Sequence, residues 1–385
     1  MPTPAPPTAD GPGAIGPIAV GETNPFLHYR RRLDSYAAIR EGRLSDQHFV
    51  DIVTGLDDAV AAVDGRGFTV TPLVDGSRLA DAAALDVEVW IKAEPRNVGG
   101  SHKARHLFGV AIQLLIDEAL GAEPVERLAI ASCGNAALGA GVVAAAMGRP
   151  LDVFVPTWAE DGIVTRLTDL GASVTRCPRR DGEAGDPAYL RFREAVTTGA
   201  RPFSVQASVT PTAIDGGRTL GWEVADQLPG GVTERDSFYI QVGGGALATA
   251  VSLGAPAARL YPVQAEGCAP LRRAWDRLAP DFDFEAAARS PQEYMWPWED
   301  EPHSLATGIL DDVTYDWLPL LRRTVASGGE PVVVAESFVE RAYALAHATT
   351  DIPVCATGTA GLAGLLQEQP PAGRVVLFFT GIDRS

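Results

Sequence analysis

Residues 97–105 read Asn-Val-Gly-Gly-Ser-His-Lys-Ala-Arg, a glycine-rich turn that follows a β-branched run and opens a long helical pattern. The turn carries Lys103, one of only two lysines among the 32 lysine and arginine residues of the chain. A lysine at a helix N-terminus, where the helix dipole lowers its pKa, can attack a carbonyl carbon, whereas an arginine stays protonated. The turn therefore predicts a nucleophilic Lys103; the alternative is a solvated surface lysine.

Outward from this turn, β-branched runs alternate with alanine- and leucine-rich helical patterns, which is typical of an α/β fold with parallel-rich sheets flanked by helices. The predicted strands are 87–91, 127–131, 152–155, 173–176, 238–242, 260–264 and 375–379, and the predicted helices are 104–119, 136–147, 158–170, 218–227 and one from 246. Ligands bind at the carboxyl ends of parallel strands, so the strand-to-helix junctions are the candidate sites. Residues 281–317 show no clear periodicity and are interpreted as a long surface excursion that could reach the active site or a subunit partner.

Two further junctions carry candidate binding residues. Residues 132–137 read Ser-Cys-Gly-Asn-Ala-Ala, where Ser132 and Asn135 can bind a carboxylate or a phenolate oxygen, or can serve as helix caps alone. Residues 243–247 read Gly-Gly-Gly-Ala-Leu, whose N–H groups form a nest suited to a phosphate monoester, the alternative being a tight structural turn. Their spacing differs from that of dinucleotide-binding and P-loop motifs. Cys133, beside a helix N-terminus, is predicted either to have a lowered thiol pKa or to be a small buried filler.

Composition narrows the remaining functions. A length of 385 residues favours two domains, and a net charge of −17 argues against nucleic acid and anionic membranes as partners. No apolar run approaches the roughly 20 residues of a membrane span. Residues 1–20 lack the basic start and apolar core of a secretory signal, so we predict a disordered leader and a cytoplasmic location. The four cysteines are scattered and the six histidines lack metal-ligand spacing, so no metal site is predicted.

Together the three junctions fit pyridoxal 5′-phosphate. The lysine can react with its aldehyde, the turn at Ser132 and Asn135 can bind its ring oxygen, and the glycine nest can bind its phosphate ester. The chain resembles the fold-type II pyridoxal-phosphate enzymes, the superfamily of threonine dehydratase, threonine synthase, cysteine synthase and the tryptophan synthase β-chain. Residues 100–105 resemble the lysine motif of that family, 132–135 its substrate-carboxylate and ring-oxygen loop, and 243–247 its phosphate loop. Other matches follow in order between residues 68 and 383, at 71–73, 215–223, 263–267, 357–362 and 379–381.

The resemblance implies a role for each matching position. Lys103 would be the catalytic residue, forming the internal aldimine and then carrying the α-proton. The cofactor would be held by Lys103, by Asn135 at the ring oxygen, by Gly243, Gly244, Gly245, Ala246 and Leu247 at the phosphate, and by Thr380 at the pyridine nitrogen. The amino-acid substrate would be bound by Ser101, Ser132, Cys133 and Gly134. Because a neutral hydroxyl at position 380 cannot enforce ring protonation, it favours expulsion of a β-leaving group over transamination.

The resemblance further implies a two-domain fold similar to the tryptophan synthase β-chain, with the cofactor between the domains. Residues 21–108 plus 206–385 would form the large cofactor-binding domain, and residues 109–205 a small mobile domain. A homodimer is implied in the same way.

The implied activity is that of a pyridoxal-phosphate-dependent lyase on a small hydroxy or O-activated amino acid, through α-proton removal and β-elimination to an aminoacrylate, as in dehydratases and ammonia-lyases. One open alternative is a β- or γ-replacement synthase similar to threonine synthase or cysteine synthase. Residues 24–30 resemble the N-terminal approach segment of threonine synthases, whereas the turn at Ser132 lacks their typical acidic residue. An alternative of another class is a non-catalytic sensor that binds the cofactor or an amino acid.

Overall fold

A computed structural model describes residues 23–183, 185–279, 281–368 and 373–384. The predicted leader, residues 1–20, lies outside the described residues. The strands are β1 (Leu73–Asp75), β2 (Glu88–Ala93), β3 (Leu128–Ala131), β4 (Leu151–Pro156), β5 (Ser173–Cys177), β6 (Arg201–Pro202), β7 (Ser237–Gln241), β8 (Arg259–Ala265), β9 (Val332–Val334) and β10 (Arg374–Phe379).

The helices alternate with these strands over most of the chain, as βα units require. They are α1 (Pro25–His28), α2 (Ala37–Arg40), α3 (Asp46–Asp64), α4 (Ser77–Ala83), α5 (Lys103–Ala119), α6 (Asn135–Ala146), α7 (Asp161–Asp169), α8 (Pro187–Thr197), α9 (Ala213–Gln227), α10 (Ala246–Gly254), α11 (Pro270–Leu278), α12 (Phe284–Arg289), α13 (Trp317–Ser327), α14 (Glu336–Thr349) and α15 (Ala356–Gln367).

The described strands form two sheets. The larger has the order β1-β2-β10-β7-β8-β9, in which β1 is antiparallel to β2 and every other neighbouring pair is parallel. The smaller has the order β5-β4-β3-β6 and is parallel throughout. The predicted α/β fold with parallel-rich sheets flanked by helices is confirmed.

The central strand β7 shows why the larger sheet carries helices on both faces. All five of its residues are buried, and successive side chains point to opposite faces of the sheet. Phe238 and Ile240 therefore share a core with α9, α10 and α13, whereas Tyr239 belongs to the core beneath α14 and α15. A strand buried on both faces reads as a continuous apolar run, and this is how its sequence reads.

The register of the larger sheet brings three candidate segments together. Ala93 at the end of β2 pairs with Phe379 at the end of β10, and β7 is the other neighbour of β10. The lysine turn, residue 380 and the glycine loop leave these three strands at the same edge. The carboxyl ends of adjacent parallel strands thus bring together residues more than 270 positions apart along the chain.

The predicted elements are found with bounds that differ by a few residues. The largest difference in a start concerns α9, which begins at Ala213 instead of 218. Helix α7 begins at Asp161 instead of 158, because Ala159 N–H bonds to the Pro156 carbonyl in a turn. Helices α1–α4, α8 and α11–α15 and the short strands β1, β6 and β9 were absent from the prediction. The small mobile domain at 109–205 and the large domain at 21–108 plus 206–385 stay predictions; the smaller sheet lies within residues 128–202, and α5 runs across the first boundary.

Two features of the described part of the chain are relevant to function. None of its helices combines the length and apolar character needed to cross a membrane. It also holds no group of three histidine, cysteine, aspartate or glutamate side chains placed to bind a metal ion.

Candidate active site

The lysine turn is held in a conformation that requires glycine. Gly100 has φ +70°, and a Cβ at this position would lie 2.5 Å from Cγ2 of Ile382. Ser101 Oγ accepts a hydrogen bond of 3.3 Å from the backbone N–H of Lys103, and His102 N–H donates to the Thr380 carbonyl at 3.3 Å. The end of β10 therefore positions the start of α5, where Lys103 is the first residue.

Lys103 is half-buried, and burial lowers the pKa of its ammonium although the carboxylates of Asp311 and Asp316 act in the opposite direction. The direction agrees with the sequence prediction, but its main cause is the surrounding protein instead of the helix dipole. A larger neutral fraction makes the amine a better nucleophile and base at neutral pH.

The glycine loop connects β7 to α10 and is completely buried. Gly245 has φ +97°, a conformation that L-residues rarely adopt. A Cβ on Gly243 would lie 2.6 Å from Oδ2 of Asp311, and the backbone N–H of Gly244 favours the charged form of this same carboxylate. The loop thus faces an anionic oxygen, which is how a phosphate nest is expected to behave.

Asp311 was not predicted from the sequence. It belongs to the segment 281–317, which does reach the site: the N–H of Asp316 donates to the Gly244 carbonyl at 2.8 Å. Burial raises the pKa of Asp311 to about 6; Lys103 acts in the opposite direction, and Asp312 and Asp186 raise the pKa further. No sequence signal marked Asp311, because its segment lacks periodicity and only the tertiary structure brings it to the glycine loop.

Thr380 is buried at the end of β10 and has a partner that sequence reasoning missed. Gln241 Nε2 donates to Thr380 Oγ1 at 2.6 Å and to the Phe378 carbonyl at 2.8 Å. With Gln241 as the donor, the hydroxyl proton of Thr380 is available for an acceptor such as a pyridine nitrogen. The signal in the sequence is a polar residue that ends the otherwise apolar run Phe-Tyr-Ile-Gln.

Asn135 is the first residue of α6, and its side-chain amide is oriented by the C-terminal segment. Arg384 Nη1 donates to Asn135 Oδ1 at 2.7 Å, and Arg384 Nη2 donates to the Gly99 carbonyl at 2.9 Å. Because its oxygen is engaged by Arg384, Asn135 presents Nδ2 as a donor for a ring oxygen. Arg384 also connects the turn before α6 with the lysine turn.

The turn 132–134 is half-buried, and Ser132 Oγ accepts a hydrogen bond of 3.4 Å from Gly134 N–H. Of the two alternatives predicted for Cys133, the lowered thiol pKa is wrong. Burial raises this pKa, with further increases from Asp311, Asp186 and Glu160. The assignment of Ser101, Ser132, Cys133 and Gly134 to substrate binding stays a prediction.

A fully buried charge network lies behind the lysine turn. Arg105 Nη2 lies 2.9 Å from Glu94 Oε1, and Arg105 Nη1 lies 2.5 Å from Glu223 Oε1. Lys92 Nζ lies 2.6 Å from Glu223 Oε2, and none of the four side chains is exposed. Burial opposes the charge of Glu94, but Arg105 holds the pKa of this carboxyl below its ordinary value. The network joins β2, α5 and α9, and so fixes the helix that begins with Lys103.

Comparison with known proteins places this geometry in a family. Residues 66–381 match the family described as pyridoxal-phosphate dependent enzymes. The chain belongs to this family. Pyridoxal phosphate is accordingly its cofactor, and the protein is an enzyme of the lyase or synthase type, as predicted.

Individual relatives of this pyridoxal-phosphate enzyme have different activities. The chain is 27% identical to threonine synthase of Synechocystis over 80% of this chain and 74% of the relative, and 26% identical to phenylserine dehydratase of Ralstonia pickettii over 81% and 87%. Its fold is similar to that of the processed form of threonine deaminase isoform 2 from Solanum lycopersicum, with a TM-score of 0.63 and 18% identity over 89% of this chain and 86% of the other. The predicted family and fold type are confirmed.

The described residues fit the cofactor. Lys103 offers an amine of lowered pKa for the aldehyde, the buried glycine loop faces an anionic oxygen where a phosphate is expected, and Thr380 offers a hydroxyl proton. The predicted roles of Asn135 and of Gly243, Gly244, Gly245, Ala246 and Leu247 are compatible with this arrangement and stay predictions.

Proposed function

We propose that the chain is a β-eliminating lyase of a small hydroxy amino acid, releasing ammonia and a 2-oxo acid as dehydratases and ammonia-lyases do. The observation that carries the proposal is the pair formed by Lys103 and Asp311. Burial lowers the pKa of the amine and raises that of the carboxyl to about 6, so one group is suited to accept a proton and the other to donate one.

The mechanism assigns one task to each residue. When bound, pyridoxal phosphate supplies an electron sink for the substrate α-carbon. Lys103 Nζ would hold the cofactor through its aldehyde and would accept the α-proton of the substrate. Thr380 Oγ1, fixed by Gln241, would donate a hydrogen bond to the pyridine nitrogen without protonating it. The turn at Ser132, with the free N–H groups at the start of α6, binds the substrate carboxylate.

Asp311 donates the proton that the departing hydroxyl requires. Its carboxyl faces the glycine loop and raises the pKa of Lys103 electrostatically, so it is close enough to influence both the phosphate nest and the amine. A cofactor phosphate that bound the Gly244 N–H would remove the hydrogen bond that this N–H offers to the Asp311 carboxylate, and it would place a second anion beside that carboxylate. Both effects raise the pKa of Asp311 and keep its proton available at neutral pH.

The charge of the site also helps to distinguish a β-eliminating lyase from the alternative, a β- or γ-replacement synthase. Asp186 and Asp312 raise the pKa of Asp311, so both place negative charge near this carboxyl. A substrate with a phosphorylated side chain would be repelled by Asp186 and Asp312. The acidic surroundings therefore favour an uncharged hydroxy amino acid over the phosphate ester that a threonine synthase-like γ-replacement would use.

The proposed function is tested by product analysis. Holoenzyme is incubated with L-serine, L-threonine and β-phenylserine, with and without an added thiol or amine, and 2-oxo acid and ammonia are quantified. Equal amounts of both products, unaffected by the added nucleophile, are expected. Capture of the nucleophile in a new amino acid would establish a synthase instead, and a protein that binds the cofactor without any turnover would be a sensor.

Asp311→Asn is expected to separate cofactor binding from turnover. Because the carboxylate is charged above about pH 6, the neutral amide should tighten cofactor binding to the apoenzyme by about tenfold at pH 8 and by less at pH 5.5. The same variant should lower kcat by about 10²-fold through loss of the proton donor. Cofactor binding is measured by absorbance titration and kcat by 2-oxo acid release.

Asp312→Asn is the matched control, since burial raises the pKa of Asp312 as well, but the carboxylate that approaches Gly243 and Gly244 is that of Asp311. This control should leave the cofactor affinity within about twofold of wild type. Because Asp312 also raises the pKa of Asp311, the control should lower kcat, but far less than Asp311→Asn does. If Asp311→Asn kept full kcat, another group would be the proton donor.

We further propose a cytoplasmic homodimer. The four cysteines are free thiols, which is usual in a reducing compartment, and the dimer rests on the resemblance to the family. Light scattering of the purified holoenzyme tests the oligomeric state directly.

A further inference from the structure

A second concave site lies behind the lysine turn. It is a cavity of about 510 Å³, a volume ordinary for a small-molecule site, lined by Gly99 and Gly100 and by apolar side chains of α6 and α7. None of the described residues that line it is a candidate cofactor or substrate residue. The cavity therefore shares a wall with the proposed active site but does not belong to it.

The charge of this cavity is opposite to that of the protein. Arg66, Arg166 and Arg384 line it together with two acidic residues, Asp64 and Glu160, which leaves a formal charge of +1 in a chain of net charge −17. Arg166 Nη2 lies 3.7 Å from Asp64 Oδ1, an ion pair without a hydrogen bond. Burial and the neighbouring Arg166 lower the pKa of Arg384, while Cys355 and Asp64 act in the opposite direction. Asp64 therefore offsets part of the repulsion between the two guanidinium groups, and a further shared anion would relieve the rest.

We propose that this cavity binds a small organic monocarboxylate, whose carboxylate pairs with Arg166 and Arg384 and whose apolar body packs against α6 and α7. The planar guanidinium group matches a carboxylate in two-point hydrogen bonding. The local charge of +1 suits a monoanion, and the apolar wall, which includes Leu138 and Ile163, suits a hydrocarbon body better than a free phosphate.

The site is coupled to the active site through Arg384. This side chain donates hydrogen bonds to Asn135 Oδ1 and to the Gly99 carbonyl. A ligand that binds its guanidinium group therefore changes the orientation of the Asn135 amide. This coupling rests on the proposed role of Asn135 at the cofactor ring oxygen, whereas binding to the cavity does not.

The experiment is calorimetric titration of holoenzyme with 4-methylpentanoate, with 4-methylpentan-1-ol and inorganic phosphate as comparison probes. Saturable binding of one carboxylate per chain is expected, with no binding of the alcohol. Arg166→Met should weaken the carboxylate about tenfold, as loss of one charge-assisted pair does. Arg180→Met is the matched control, because Arg180 is similarly exposed but lies outside the cavity lining, and it should bind as wild type.

A second variant tests the cavity without touching its charge. A Cβ at Gly162, which lines the cavity, meets no atom within 4 Å, so Gly162→Phe is expected to fold and to block binding of the probe. Binding should shift the visible absorption band of the cofactor in the wild type. Lys103→Arg should lack turnover but should still bind the probe with unchanged heat. Failure of the cavity proposal is therefore distinguishable from failure of the proposed function.

Three outcomes would overturn the proposal: no saturable heat with 4-methylpentanoate, tighter binding of phosphate than of the carboxylate, or equal affinity of wild type, Arg166→Met and Gly162→Phe.

Discussion

Replacement of Lys103 by alanine is expected to lower kcat/KM for the amino-acid substrate by about 10⁴-fold. The same amine is proposed to hold the cofactor aldehyde and to accept the α-proton, and removal of a general base alone typically costs 10²- to 10⁴-fold. The measurement is 2-oxo acid release at several substrate concentrations. Lys103→Arg is the matched variant, because it keeps the positive charge opposite Asp311 and Asp316 but cannot attack the aldehyde.

The chain itself supplies the internal control for the chemistry. Lys92 and Lys103 are its only lysines. Borohydride reduction of the holoenzyme followed by peptide mapping therefore decides between these two residues as the one bound to the cofactor. Lys92 is fully buried and paired with Glu223, whereas Lys103 is half-buried at the start of α5. The label is expected on Lys103. A label on Lys92, or full activity of Lys103→Ala, would refute the assignment.

Replacement of Arg105 by methionine is expected to lower the free energy of unfolding by about 3–5 kcal/mol. The side chain is completely buried, and its loss leaves Glu94 and Glu223 with only Lys92 as a charged partner. Leaving a buried charge without compensation typically costs this much, even where a whole ion pair contributes little. Guanidinium chloride unfolding of wild type and variant, followed by circular dichroism, measures the difference.

The pH dependence of this loss has a definite sign. Arg105 holds the pKa of Glu94 below its ordinary value, so this interaction contributes stability above the ordinary carboxyl pKa and loses it as the pH falls through the folded value. The wild-type advantage should therefore be present near pH 7 and shrink only as the pH falls below the ordinary carboxyl pKa of 4.5.

Arg180→Met again serves as the control for Arg105→Met. Arg180 pairs with Glu194 at the surface, where both side chains are more than half exposed, so its loss should cost less than about 1 kcal/mol. An Arg105→Met protein that unfolds at the same denaturant concentration as wild type would contradict the role of the network.

The fold and the family were accessible from the sequence because their signals are local. Strand-forming runs, helical periods and glycine turns depend on a few neighbouring residues, and the motifs at Lys103, Asn135 and residues 243–247 each lie within one strand-to-helix junction. Because the carboxyl ends of parallel strands share an edge, finding such junctions in sequence order also predicted that they meet.

The partners of those motifs were decided only by tertiary structure. Asp311, Gln241 and Arg384 act on Lys103, Thr380 and Asn135 across long sequence separations, and a segment without periodicity gives no sign of what it will face. The thiol of Cys133 illustrates the same limit: its helix N-terminus suggested a lowered pKa, but burial, a property of the assembled fold, raises it. The residue types near each turn determined which cofactor the chain can bind. Packing determined the charge and the protonation of the groups that surround the site.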